Sequence, residues 1–138
     1  MPPYSAPYRP VVFVVDDESA IADTVAEILN REGYGAISIY CAEDALDISL
    51  DKPPQMIISD VMLAGMDGIE LAVKMRRIFP DCRILLFSGH GSTPGLLTSA
   101  NRQGHQFDCL SKSVHPTELL ARVAEGLRPR HLSSTSGD

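Results

Sequence analysis

Five side chains in this chain could do chemistry together if the fold brings them to one place. They are the paired carboxylates Asp16 and Asp17, the carboxylate Asp60, the hydroxyl of Ser88 and the ammonium of Lys112. Three carboxylates held close together repel, and their pKa values rise unless a cation joins them. Oxygen-only ligands suit a hard cation, and so few of them suit Mg²⁺, which keeps several of its waters; Mn²⁺ is a possible substitute. With a cation present one carboxylate remains free to attack, and attack on a phosphoryl group gives an aspartyl phosphate. A lysine and a hydroxyl would then bind phosphoryl oxygens. Gly89, next to Ser88, keeps a side chain away from an incoming group.

Each residue alone has a plainer reading. Asp16 or Asp17 could be a helix N-cap, Asp60 could steady the loop that follows it, Ser88 could simply end a strand, and Lys112 could be a solvated charge. The conjunction carries the argument, because unrelated structural needs seldom place all of them at one edge of a fold.

The elements that would position them follow from the hydrophobic pattern. "VVFVV" (11–15) is a continuous apolar run, too short for a helix and too apolar for a half-exposed strand, so it predicts a strand buried on both faces. Residues 18–32 carry Ile21, Val25, Ile28 and Leu29 at helical spacing, closed by Gly33. The alternation repeats: strand 34–40, helix 42–50 ended by Asp51 and Pro53-Pro54, strand 55–59, helix 68–79 stopped by Pro80, strand 82–88. A fifth strand is expected at 107–111 and a last helix at 116–127, with proline at its start. In helix 68–79, Ile69, Leu71, Ala72, Val73, Met75 and Ile78 are expected inward or flanking. Residues 89–106 have room for a helix over 94–103, placed there because the topology needs one; Gly95 sits in its first turn and its apolar face is thin. So little apolar area predicts a segment that opens at low free energy.

Five βα units predict an α/β fold: a doubly wound parallel sheet with helices on both faces, in the flavodoxin-like order 2-1-3-4-5. In such sheets ligands bind beyond the C-terminal ends of the strands, where the order reverses. Asp16-Asp17, Asp60, Ser88-Gly89 and Ser111-Lys112 all fall at that edge.

Composition narrows the field. With 138 residues there is room for one domain and a core. Twelve Lys and Arg against 18 Asp and Glu leave a net charge of −6, which disfavours direct binding to nucleic acid. Cys41, Cys82 and Cys109 are odd in number and lack a repeating spacing, so they read as small buried hydrophobes in a reducing compartment. No apolar run reaches the ~20 residues of a membrane span, and a cytoplasmic location is expected. Residues 1–10, with four prolines, read as an extended lead; 11–127 form the domain; 128–138 read as a disordered tail or the start of a linker.

"VVDDES", "SDVMLAGMDG", "LLFSGHG" and "LSKS", in this order and at these distances, resemble the receiver domain of two-component response regulators over residues ~11–127. The resemblance implies that Asp60 is the phosphoacceptor, and that Asp17, Asp60 and the Met62 carbonyl bind Mg²⁺ directly, with Asp16 acting largely through water. It makes Ser88 the switch hydroxyl, Lys112 the phosphoryl-binding lysine and Gly68 the glycine that begins the third helix. It implies phosphorylation by a sensor histidine kinase or a histidine phosphotransfer protein, with no catalysis beyond accepting the group and losing it to water. A downstream partner would dock on the face of the fourth helix, fifth strand and fifth helix, the chain being a monomer or weak homodimer. His90, two residues past Ser88, is a candidate modulator of dephosphorylation.

Three positions depart from the family pattern. Ala64 and Ser113 stand where proline is usual, the second with a cis bond, which before serine would cost about 3–4 kcal/mol. Cys109 stands where a switch aromatic is usual, with Phe107 two residues earlier on the same strand face. These departures leave a second reading, a phosphorylation-independent pseudo-receiver that acts only by interaction. A haloacid-dehalogenase-type phosphatase would need a carboxylate two residues past the nucleophile, where this chain has Met62.

Overall fold

The computed structural model describes residues 9–63, 65–89 and 107–128. The apolar runs form five strands, β1 (Val11–Val15), β2 (Gly35–Ile39), β3 (Met56–Asp60), β4 (Arg83–Ser88) and β5 (Asp108–Ser111). All pair in parallel, in the order β2-β1-β3-β4-β5. The helices among the described residues are α1 (Ser19–Arg31), α2 (Ala42–Asp51), α3 (Gly68–Ile78) and α4 (Pro116–Gly126). The helix expected over 94–103 lies outside the described residues, as do His90 and Ala64.

Side-chain alternation splits the core into two layers, one on each face of the sheet. Val12, Val14, Met56, Ile58, Leu85 and Phe87 face α1 and α4, whose Val25, Leu29, Leu119 and Val123 complete that layer. Phe13, Val15, Ile57 and Leu86 face the other way and pack with Ala42 and Ala45 of α2 and Leu71, Ala72 and Met75 of α3. The central strand β3 is buried along its whole length and β1 in four of its five residues, as their unbroken apolar character predicts. The edge strands β2 and β5 are only partly buried. Ile78, expected inward or flanking, is instead 49% exposed, because the apolar stripe of α3 rotates away in its last turn.

Local chemistry sets the helix boundaries. Gly33 ends α1 at φ +98°, a left-handed conformation suited to glycine, while the Tyr34 N–H donates to the Leu29 carbonyl. Asp67 caps α3, its Oδ1 accepting from the Glu70 N–H at 2.7 Å. His115 caps α4 through Nδ1, which accepts from the Thr117 N–H at 3.1 Å, and Pro116 occupies the first turn. The three cysteines are free; burial pushes the Cys82 thiol up to about 12.

Candidate functional site

Strand β3 runs one residue past the expected 55–59, so Asp60 is the last residue of the strand itself, paired in register with Phe87 of β4. That placement buries the carboxylate, 6% exposed, in a continuous ladder. Its Oδ1 accepts from the Met62 N–H at 3.1 Å, and its Oδ2 accepts from Lys112 Nζ at 2.9 Å. Next door, β1 delivers Asp16, 1% exposed, whose backbone N–H donates to the Ile39 carbonyl of β2. Asp16 Oδ1 accepts from the Glu18 N–H at 2.9 Å, so this carboxylate does steady the entry to α1. Only one of its two oxygens is used that way.

The other oxygen, Asp16 Oδ2, lies 3.0 Å from Lys112 Nζ as an ion pair, yet no hydrogen bond of good geometry satisfies it. A buried carboxylate oxygen in that state is costly. Burial raises the pKa of Asp16, opposed by the Glu18 N–H and by Lys112. For Lys112, burial works against the charge, but the Asp60 and Asp16 carboxylates together outweigh it and its pKa is raised. Lys112 therefore bridges two carboxylates with its charge held on.

Asp17 is exposed, and its carboxylate comes within 4.8 Å of those of Asp16 and Asp60. The fit to a hard divalent cation rests on two features: three carboxylate oxygens at one point, and the unsatisfied buried oxygen of Asp16 among them. Lys112 alone offsets only part of their charge.

Other expected residues sit at the same edge, around this cluster. Ser88 ends β4 opposite Ser111, and its carbonyl accepts from the Lys112 N–H at 2.8 Å, which ties the lysine's backbone to the neighbouring strand. A side-chain Cβ at Gly89 would meet nothing within 4 Å among the described residues. Gly68 is different: a Cβ there would collide with the backbone carbonyl of Asp60, so only glycine lets α3 start directly against the end of β3. Cys109 and Phe107 both pack against the α2/α3 layer, as alternation predicts, and the Arg76 guanidinium stacks 4.6 Å from the Phe107 ring centroid. The Lys112–Ser113 bond is trans, since there is no cis peptide among the described residues.

Two contributors escaped the sequence reading. Glu18 Oε1 lies 3.9 Å from Lys112 Nζ, an exposed third acid whose only signal was its place after Asp16-Asp17. Ser111 and Ser113, the residues on either side of Lys112, join hydroxyl to hydroxyl at 2.8 Å, a contact with no one-dimensional signature.

A response regulator receiver domain profile matches residues 12–124, and the chain belongs to that family. Among solved structures it is similar to a CheY-like response regulator receiver domain protein from Methanospirillum hungatei JF-1. That protein is 27% identical over 87% of this chain and 94% of its own, with a TM-score of 0.78. The receiver domain of NtrX from Brucella abortus is 31% identical over 84% of this chain and 97% of that one, with a TM-score of 0.75. Against the longer NtrX chain, identity is 29% over 95% of this chain, which spans only 29% of NtrX, with a TM-score of 0.80. No helix among the described residues is long and apolar enough to cross a membrane.

Proposed function

We propose that this receiver domain accepts a phosphoryl group on Asp60 and thereby switches its binding to a downstream protein. The observation that carries this is Lys112 Nζ set 2.9 Å from Asp60 Oδ2 and 3.0 Å from Asp16 Oδ2, within a cluster of three carboxylates. Asp16, Asp17, Asp60 and the Met62 carbonyl would hold Mg²⁺ or Mn²⁺. Bound there, the cation offsets negative charge on the carboxylates and on phosphoryl oxygens.

The remaining chemistry belongs to the chain. An Asp60 carboxylate oxygen attacks the phosphorus of a phosphohistidine carried by a sensor histidine kinase or histidine phosphotransfer protein. An O–P bond forms, the N–P bond breaks, and the departing imidazole keeps the electron pair and takes a proton. The Met62 N–H holds Asp60 Oδ1, which orients the carboxylate for this attack. Lys112 leaves the carboxylate for a phosphoryl oxygen, where its ammonium stabilises the transferred charge, and the Ser88 hydroxyl supplies a second donor. Water later attacks the acyl phosphate and releases inorganic phosphate, so the chain's own catalysis ends at acceptance and loss of the group.

The response surface we assign to β5, α4 and the segment between β4 and β5, of which residues 90–106 lie outside the described residues. A cytoplasmic monomer or weak homodimer that touches protein partners, and neither nucleic acid nor membrane, completes the reading. Cys109 at the aromatic position favours a second one, an interaction module that works without phosphorylation.

Intact mass after incubation with a small phosphodonor and Mg²⁺ separates the two. Wild type should gain the mass of one phosphoryl group and Asp60→Asn none. A full shift surviving in Asp60→Asn removes Asp60 as acceptor, and no shift in wild type favours the interaction module.

A further inference from the structure

Lys112 has to reach Asp60, 52 residues away in sequence, from the turn that follows the edge strand β5. A long flexible side chain loses rotamer freedom when it holds two partners at once. The cost falls if the backbone launches it from one fixed point, and the turn after β5 provides that point. On one side the Lys112 N–H donates to the Ser88 carbonyl at 2.8 Å. On the other, the Ser113 N–H donates to Ser111 Oγ at 3.2 Å, and the Ser113 hydroxyl pairs with the same oxygen at 2.8 Å. The Val114 N–H closes the turn on the Ser111 carbonyl at 3.0 Å.

We infer that the Ser111–Ser113 hydroxyl pair is a positioning device for Lys112, fixing the backbone on both sides of the lysine so that its ammonium stands over the acceptor carboxylate. The role rests on the phosphoacceptor reading of Asp60. One hydroxyl oxygen serves two contacts, as its two lone pairs and one proton allow. A serine hydroxyl bonding a backbone N–H two residues on is a recognised local turn device. It depends on an N–H at residue 113, which proline would lack, so this turn is locked by hydrogen bonds and not by a ring. Both serines are exposed and their hydroxyls are bonded to each other, so their influence on the site passes through Lys112, which lies between them.

Beryllofluoride with Mg²⁺, titrated calorimetrically into the full chain, reads the lysine's contribution to holding a phosphoryl-like group. Ser111→Ala should weaken binding about fivefold, the weight of one net hydrogen bond. Ser111→Thr, which keeps the hydroxyl, should stay within about twofold of wild type. In a Lys112→Ala background, adding Ser111→Ala should change nothing further, because the residue being positioned is gone. Ser113→Pro should weaken binding as Ser111→Ala does, and the two changes together should do no more than either alone.

Wild-type affinity in Ser111→Ala overturns the inference. So does an equal loss when Ser111→Ala is added to Lys112→Ala, since that would mean general damage to the sheet edge. Failure of wild type to bind beryllofluoride at all sinks the phosphoacceptor reading and this role with it. Binding by wild type with Ser111→Ala indifferent sinks the positioning role alone.

Discussion

Where the strands begin, a cleft of 730 Å³ opens between Pro54, Phe79, Pro80, Cys82 and Leu127. Where they end, Asp16, Asp60 and Lys112 meet. Each end buries an acid whose pKa is raised by desolvation: Cys82, 4% exposed, at the first and Asp16, 1% exposed, at the second. Their surroundings differ. Cys82 is held neutral by burial, which outweighs the opposing charge of Arg76, and its Sγ donates to the Arg83 carbonyl at 3.5 Å. Asp16 sits with two other carboxylates and a bridging ammonium. Converging buried charge is therefore what singles out the strand ends as the candidate site.

The largest expected effect breaks that contrast at the proposed metal site. Asp16→Ala with Asp17→Ala should cost at least about a hundredfold in Mg²⁺ affinity, because too few anionic ligands remain. Asp81→Ala, in the cleft at the other end, should leave the affinity within about twofold. Calorimetric titration with magnesium chloride measures both. Wild-type affinity in the double variant would move the metal site elsewhere.

A pair of glycines sharpens the same comparison. Gly68→Ala drives a Cβ into the Asp60 backbone carbonyl, which neither α3 nor β3 can easily move, and should destabilise by about 2–3 kcal/mol. At the other end, a Cβ on Gly126 meets only the terminal methyl of Met56, the far end of an adaptable side chain. Gly126→Ala should therefore cost less than about 1 kcal/mol. Urea unfolding of the two variants gives the difference; equal losses would mean that the contact between α3 and Asp60 is not special.

The two ends were not equally legible in the sequence. Runs such as "VVFVV" and "MIIS" announce doubly buried strands, and the order of the units then fixes which strand ends share an edge. Asp16, Asp17, Asp60, Ser88 and Lys112 could thus be placed at one edge from pattern alone. What the pattern does not carry is distance. That Lys112 bridges Asp60 to Asp16, that Gly68 faces the Asp60 carbonyl, and that the serine hydroxyls flanking the lysine in sequence meet all depend on side chains far apart or on turn geometry. The trans Lys112–Ser113 bond belongs here too, because a resemblance can raise the question of its isomer but only the turn's hydrogen bonds show how the lysine reaches its partners without a cis bond. Ile78 was misread for a related reason: helical periodicity gives a face but not the residue at which that face runs off the edge of the sheet.

The smallest effects separate the two buried acids by pH. An acid whose folded pKa lies above its unfolded value holds its proton more tightly in the folded state. Stability is then lost as pH rises from the unfolded value through the folded one. For Cys82 that window runs from 9.0 to about 12. The advantage of wild type over Cys82→Ala should accordingly narrow by about 1–2 kcal/mol between pH 7.5 and 10.5. At pH 8 the folded thiol should resist iodoacetamide, and rapid labelling of the native protein would contradict its burial. For Asp16 the sign is the same but the window starts at 3.8, so burying its charge costs the metal-free protein stability as pH rises above that value. Asp16→Asn keeps an oxygen for the Glu18 N–H while removing that charge, and in EDTA it should unfold at higher urea than wild type. Adding magnesium should reverse the order, since an amide cannot supply the negative charge a cation needs. No comparable reversal is expected for Cys82→Ala, whose neutral thiol lies at the other end of the sheet. If magnesium leaves Asp16→Asn the more stable protein, the buried charge of Asp16 is not kept for a cation.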